Sequence, residues 1–280
     1  MTDFYTQLVE KSGFDEALVR RALRFAKTVD IMEFSRLFFK TQAFCVENTG
    51  VLYFKEAFYP FEFYAEVLSY CAEKKLSPKE IFLYIYILLL EESFEDFSSR
   101  TGAPGLFFNT AKKIAEGASE YYSQHGKCGL YEYRFLANHV RGNIIRLGEF
   151  EYQYGHFEGK RCIVLHLPEK ADLSKDKRLE SYRLARQYFG TYDIIGDSWL
   201  LYSEHKKMLP KDSRIVDFMN DFDIISTYET TDYSELFHVF GRLSDFSYEN
   251  LPKKTTLQKA YAERVKNKLP IGSGVGKLKY

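Results

Sequence analysis

Between Arg161 and Asp223 the hydrophobic period of the chain switches from 2 to 3.6 and back, which few folds accommodate. The run Cys162-Ile163-Val164-Leu165-His166-Leu167 reads as an apolar strand stopped by Pro168. After the loop Glu169–Leu173, apolar Leu179, Tyr182, Ala185 and Phe189 recur at helical spacing. A second strand-like run, Tyr192 to Leu201, carries the only tryptophan, Trp199, and a short helix from Ser213 leads to Phe222-Asp223-Ile224-Ile225. Alternation, helical spacing and alternation again mark strand–helix–strand units on a mostly parallel sheet. Such a unit offers a ligand the amides at a helix N-terminus and the ends of two strands.

The residues before it have a different texture. Two short helices are expected between residues 2 and 27, broken at Ser12-Gly13, and helical spacing continues from Glu33 to Phe44. Asn48-Thr49-Gly50 signals a turn, and Tyr64, Val67, Leu68 and Cys71 share a helical face. Ser77-Pro78-Lys79-Glu80 opens the next helix, with proline at its first position and a capping box between Ser77 and Glu80. That helix contains the most apolar run of the chain, Ile81 to Leu90, and should be the buried centre of this half. Arg100-Thr101-Gly102-Ala103-Pro104-Gly105 follows a helix and not a strand, so it reads as a helix stop and not as a phosphate loop. Helices over Leu106–His125 and Tyr131–Val140 complete an all-helical domain, residues 1–143.

Composition excludes several classes of function. Lys and Arg number 39 and Asp and Glu 39, and neither half has the basic bias of a nucleic-acid binder. The four cysteines, Cys45, Cys71, Cys128 and Cys162, lie far apart without a C-x-x-C pair. They read as thiols of a reducing cytosol, and no metal site is expected. The apolar run Ile81–Leu90 is half of the roughly 20 residues a membrane span needs. No basic segment with a following apolar run opens the chain, so the expectation is a cytoplasmic protein without a membrane partner.

The rest of the chain extends the strand–helix pattern. Leu147, Phe150, Tyr152 and Tyr154 alternate with polar residues and form a hairpin with the strand from Arg161. Phe222–Tyr228 and Glu235–Phe240 read as paired strands. Thr255 or Thr256 caps a helix with Leu257, Tyr261, Val265 and Leu269, and Gly272–Gly276 precedes a terminal strand, Lys277–Tyr280. The order ββαβαββαβ resembles the core of the GNAT-type N-acyltransferases. The run Ser213–Phe222 looks like a degenerate form of that family's fourth helix and following strand. His166-Leu167-Pro168, Asp197-Ser198-Trp199-Leu200-Leu201, Leu209-Pro210-Lys211-Asp212-Ser213 and Phe240-Gly241-Arg242 resemble a bacterial group of acyltransferases. Those pair a helical N-terminal domain with a GNAT-like C-terminal one. The resemblance implies an α+β fold, with the all-helical domain followed by a GNAT-like mixed α/β sheet domain over residues 144–280. It implies transfer of an acyl group from acetyl-CoA or another acyl-CoA to a small-molecule or peptide amine. Two positions depart from the family pattern. Residues 167–178 contain no glycine where the family's acyl-CoA loop usually reads Gln/Arg-x-x-Gly-x-Gly/Ala, and the family's tyrosine acid falls at Asp217 or Phe218.

The candidate site gathers at the strand ends. Ser174 with Lys175, Lys177 and Arg178 offers an anion a helix N-terminus and positive charge. Ser174, Lys175 and Arg178, with Leu167 before them, are the candidate cofactor-binding residues. His166 ends its strand and suits deprotonation of an ammonium, since histidine has an unperturbed pKa of ~6.5. Glu151 on the neighbouring strand, and Ser198 beside Asp197, complete the candidate catalytic set. Backbone amides near residues 165–167 would polarise the thioester carbonyl. Ser198 lacks a G-x-S-x-G elbow, which argues against serine hydrolysis, and Trp199 reads as core, with lining of an acyl or pantetheine channel as its lesser reading. The competing reading is a non-catalytic GNAT-like module that holds a CoA-like, nucleotide or peptide ligand. The missing glycines and tyrosine favour it.

Overall fold

The computed structural model describes residues 2–40, 44–50, 53–230, 236–243 and 245–280, with backbone alone for 44–50, 53–57 and 230. The chain divides into two compact units: residues 1–147 with 153–158, and residues 148–152 with 159–280.

The first unit is mainly helical: α1 (Asp3–Ser12), α2 (Glu16–Phe25), α3 (Ile31–Lys40), then a hairpin of β1 (Phe44–Gly50) and β2 (Tyr53–Phe58). It continues with α4 (Phe61–Lys74), α5 (Pro78–Thr101), α6 (Pro104–His125), α7 (Tyr133–Val140) and the short strand β3 (Ile145–Leu147). The hairpin interrupts the helices where helical texture alone was expected. β1 pairs with β2 antiparallel from Phe44↔Phe58 to Gly50↔Tyr53, so Asn48–Gly50, read as a turn, forms the end of β1.

The apolar run Ile81–Leu90 lies inside α5 as expected, with Phe82, Leu83, Ile85, Tyr86, Ile87 and Leu90 all fully buried. Aromatic rings fill the space around it: Phe82 stacks on Tyr133 with centroids 4.1 Å apart, and Phe38 meets Phe58 and Phe63 edge-on at 5.1 Å. Pro78 takes the first turn and Gly102 closes the helix in the left-handed region at φ 63. The Ser77–Glu80 capping box does not form. Ser77 makes no side-chain cap bond, and Glu80 Oε1 accepts instead from the Tyr84 hydroxyl at 2.6 Å one turn on.

The second unit carries the strand–helix–strand pattern. β4 (Phe150–Phe157) is divided between the units and turns into β5 (Lys160–His166) through Glu158 and Gly159, both at positive φ. α8 (Lys175–Phe189) leads from β5 to β6 (Ile194–Ser198). β5 and β6 are parallel neighbours, with Ile163↔Ile194, Val164↔Ile195 and Leu165↔Gly196. α9 (His205–Met208), α10 (Arg214–Asn220), β7 (Phe222–Thr230), α11 (Phe237–Phe240), α12 (Thr256–Lys266) and β8 (Ile271–Leu278) follow. β8 pairs antiparallel with β6 on one side and β7 on the other. Thr255 caps α12, one of the two residues expected to, and does so in a capping box with Gln258.

Three local expectations are corrected. The strand from Tyr192 ends at Ser198, because the Ser198 hydroxyl accepts from the Leu200 amide at 3.2 Å and winds Trp199–Leu201 into a 3-10 turn. Phe237–Phe240 is helical and not a strand; Glu235 lies outside the described residues. The partner of β7 is the glycine-rich run itself, with Tyr228↔Ser273 and Thr227↔Gly274. A Cβ at Gly272 would sit 2.5 Å from the Tyr228 carbonyl oxygen, and one at Gly274 would sit 2.3 Å from that of Leu201. Glycine is here the strand residue that lets other backbone come close.

Candidate functional site

The site grows out of the end of the parallel pair. Pairing between β5 and β6 stops at Leu165↔Gly196, one residue before β5 ends at His166 and two before β6 ends at Ser198. β6 stays paired with β8 through Asp197↔Val275 and Ser198↔Gly274, so the gap opens on the β5 side. Beyond it lies a cleft of about 340 Å³, lined on one wall by Leu167–Ala171 and Leu173 and on the other by Trp199, Leu200 and α11. This is where open α/β sheets hold ligands. A larger cavity of about 440 Å³ lies in the helical unit, lined by Phe14, Leu18, Leu83 and Ala115. Asp15, Arg21, Tyr122 and Cys128 also line it, but it lies away from the strand ends.

The β5–α8 loop keeps its shape without glycine. The Ala171 amide donates to the Pro168 carbonyl at 3.2 Å, and Lys170 between them takes φ 66, a left-handed conformation uncommon for a side chain of this size. Asp172 anchors the next step: its amide donates to Glu149 Oε2 at 3.1 Å and its carboxylate accepts from the Ser174 amide at 2.9 Å. That second bond holds the exposed Asp172 carboxyl below the usual carboxylate range. Ser174 occupies the N-cap of α8 but makes no side-chain cap bond. The first-turn amides of Lys175, Asp176 and Lys177 are ones a helix cannot pair with its own carbonyls.

Of the expected cofactor-binding residues, Leu167 lines the cleft, Ser174 caps α8 and Lys175 is exposed at its first residue. Arg178 faces inward and is 1 % exposed. Its guanidinium donates to Asp221 at 2.7 Å, to Asp217 at 2.8 Å and to the Leu173 carbonyl at 2.5 Å, while Tyr182 donates to Asp221 at 3.0 Å. Arg178 therefore locks α8 to α10 and fixes the end of the loop from below. Asp217 belongs to that lock, and Phe218 is fully buried, so neither residue at the family's tyrosine position lines the cleft.

The candidate catalytic residues are spread along the sheet. His166 is half-buried at the end of β5, immediately before the cleft wall. Glu151 is 1 % exposed on β4 and is not among the residues lining the cleft. Ser198 is committed to the 3-10 turn, and Asp197 beside it accepts from the Tyr228 hydroxyl at 2.8 Å. Lys170 and His238 line the cleft without having been singled out for it, and Trp199 lines it in keeping with the lesser of its two readings. Only Trp199 carried a signal in the sequence, as the one tryptophan in the apolar stretch. His238 falls in the segment read as a strand.

Residues 108–278 match the GNAT-like C-terminal domain family. The chain belongs to that family. It is α+β, a helical N-terminal region followed by the mixed sheet of the GNAT-like domain. No curated protein matches the sequence. Among solved structures, the GNAT-like chain is similar to an acyltransferase in complex with decanoyl-CoA, at 20% identity and a TM-score of 0.66, covering 94% of this chain and 76% of that one. It is also similar to an acyltransferase with decanoyl-CoA and teicoplanin, at 18% identity and a TM-score of 0.65, covering 77% and 75%. An acyltransferase with CoA and a teicoplanin derivative gives a TM-score of 0.64 at 20% identity, covering 72% and 67%. At these identities the likeness is one of fold. No helix among the described residues is long and apolar enough to cross a membrane, and none of the described residues form a group of three or more metal-ligating side chains.

Proposed function

We propose that the chain transfers an acyl group from acyl-CoA to an amine. The observation that carries this is the cleft beyond Leu165↔Gly196, where the parallel pair stops and the loop to α8 begins. That position, in a member of this family whose neighbours in fold were solved with acyl-CoA, is the natural place for a thioester. The α8 amides with Lys175 and Lys170 suit the phosphates, and Leu167 with Trp199 suits the apolar part of the donor. Asp172 and Asp176 stand beside the same helix end and Arg178 is committed elsewhere. Anion binding is therefore weak and salt-sensitive. The proposed donor is acetyl-CoA or a longer acyl-CoA.

In this reading the amine nitrogen attacks the thioester carbonyl carbon, the C–S bond breaks, and CoA leaves as the thiol. His166 is the proposed base that takes the ammonium proton, because it is the last residue of β5, directly before Leu167 of the cleft lining. Glu151 is the second candidate and Ser198 a positioning group for the turn that carries Trp199. Amides near residues 165–167 are the proposed donors to the carbonyl oxygen. The acceptor is a small-molecule or peptide amine. Residues 1–143 act as a separate helical domain in this proposal, and the setting is the bacterial cytosol, where Cys71, Cys128 and Cys162 remain free thiols.

Calorimetric titration with acetyl-CoA at low salt, followed by an assay of thiol release with a panel of amines, tests the proposal. Millimolar or tighter binding with amine-dependent release supports it, and His166→Ala should then slow release while sparing affinity. Lys170→Glu with Lys175→Glu should weaken binding without unfolding the chain, whereas Arg178→Glu should unfold it. Binding without release favours the non-catalytic module, the reading supported by the absence of a tyrosine facing the cleft from α10. No binding at all removes the acyl-CoA proposal.

A further inference from the structure

Trp199 stands between two cavities of the second unit. On one side is the cleft of about 340 Å³, and on the other a chamber of about 230 Å³ lined by Tyr228, Leu236, Val239, Tyr261 and Ile271. Among the described residues, Trp199 is the only one common to both linings. Residues 236–239 divide in the same way: Leu236 and Val239 face the chamber, Phe237 and His238 the cleft. The indole is gripped by three rings. It stacks on His238 at 5.8 Å and 12°, and meets His205 at 5.8 Å and Tyr261 at 6.3 Å nearly edge-on.

The chamber offers carbon surface. Among the described residues no charged side chain lines it, and the buried Tyr261 hydroxyl is satisfied by His205 Nε2 at 2.7 Å. Most of that lining is apolar, so an apolar group gains by entering, and an acyl chain is the apolar part of the proposed donor. We infer that Trp199 sets acyl-chain length: it ends the cleft at a short acyl group, and cutting it back joins the chamber for a chain of medium length. This rests on the acyl-CoA reading above and adds to it the residue that selects the donor.

Each methylene moved from water into an apolar site strengthens binding about fourfold. The test is a calorimetric series of acetyl-, hexanoyl- and decanoyl-CoA on the full chain. In the wild type, affinity should rise little between hexanoyl- and decanoyl-CoA. In Trp199→Ala the preference for decanoyl- over hexanoyl-CoA should grow tenfold or more. Adding Ser273→Phe, which refills the chamber from β8, should return the preference to its wild-type level. Trp199→Leu serves if Trp199→Ala does not fold. A preference unchanged within twofold in the folded variant overturns the inference and leaves the transferase reading standing. So does a wild type that already gains with each added methylene up to decanoyl. A wild type that binds no acyl-CoA overturns both.

Discussion

Helix α5 and strand β8 each run through the interior of their own unit, and they fill it in opposite ways. α5 brings bulk: Phe82, Leu83, Ile85, Tyr86, Ile87 and Leu90 occupy the space themselves. β8 brings absence. At Gly272, Gly274 and Gly276 the room is taken by the Tyr228 and Leu201 carbonyls, the Tyr202 ring and the Phe222 side chain. The first interior should suffer when atoms are removed, and the second when they are added. The second unit also leans on buried polar contacts, Arg178 with Asp221 and His205 with Tyr261. The buried polar contacts of the helical unit are neutral ones, such as the Phe58 amide donating to Asn138 Oδ1 at 2.7 Å and the Ser12 hydroxyl to the Phe108 carbonyl at 2.8 Å.

Four outcomes would sharpen or break that contrast. The largest effect is expected for Arg178→Ala, which leaves Asp221 buried without its cation. Removing one partner of a buried pair costs about 3–5 kcal/mol, and urea unfolding should show a loss of that size. A loss under about 1 kcal/mol, the scale of surface pairs, would mean the lock between α8 and α10 contributes little.

Next is acid. Burial pushes the His205 imidazole from 6.5 down to about 4, with the Arg264 charge acting in the same direction. Between those values the unfolded chain binds the proton and the folded one does not. This part of the stability is therefore present above pH 6.5 and is lost as pH falls toward 4. At about 1.4 kcal/mol per unit, the drop is about 3 kcal/mol. Urea midpoints measured from pH 7 to 4 should fall more steeply in the wild type than in His205→Asn. Parallel slopes would argue that the imidazole is not sealed from water.

Gly274→Ala and Ile85→Val change one methyl in opposite directions. The added methyl in β8 meets the Leu201 carbonyl at 2.3 Å, and overpacking of this kind costs about 1–3 kcal/mol. The methyl lost from α5 should cost about 0.5–1.5 kcal/mol. Both are read from denaturant midpoints. If the isoleucine change proves the costlier, β8 has slack that its contacts do not suggest, and the contrast fails.

The same contrast explains which elements could be read from residues alone. α5 announced itself because ten consecutive apolar residues have to be buried wherever the chain goes, and Pro78 marked its start. α8 and its neighbours β5 and β6 were legible because their period changed at Pro168 and again near Tyr192. The parallel register followed, since a helix of that length returns the chain to run alongside its first strand. β8 was taken as a glycine-rich lead-in to a shorter strand, because glycine disfavours strands unless neighbouring backbone needs the space. α11 was read as a strand because Phe237, Val239 and Phe240 fit either period over four residues.

The chain's own pattern thus determined the helical and sheet-bearing halves, the strand–helix–strand unit and the parallel pairing of its two strands. Those features arise from period and apolar content, which act over neighbouring residues. Tertiary structure alone decided which way each candidate side chain turned. Arg178 and Lys175 lie three residues apart on one helix, yet one is sealed against two carboxylates and the other is exposed. Trp199 became a wall between two cavities only because Ser198 ended its strand and His238 arrived from far along the chain. Contacts made across large sequence separations, and not local preference, set those positions.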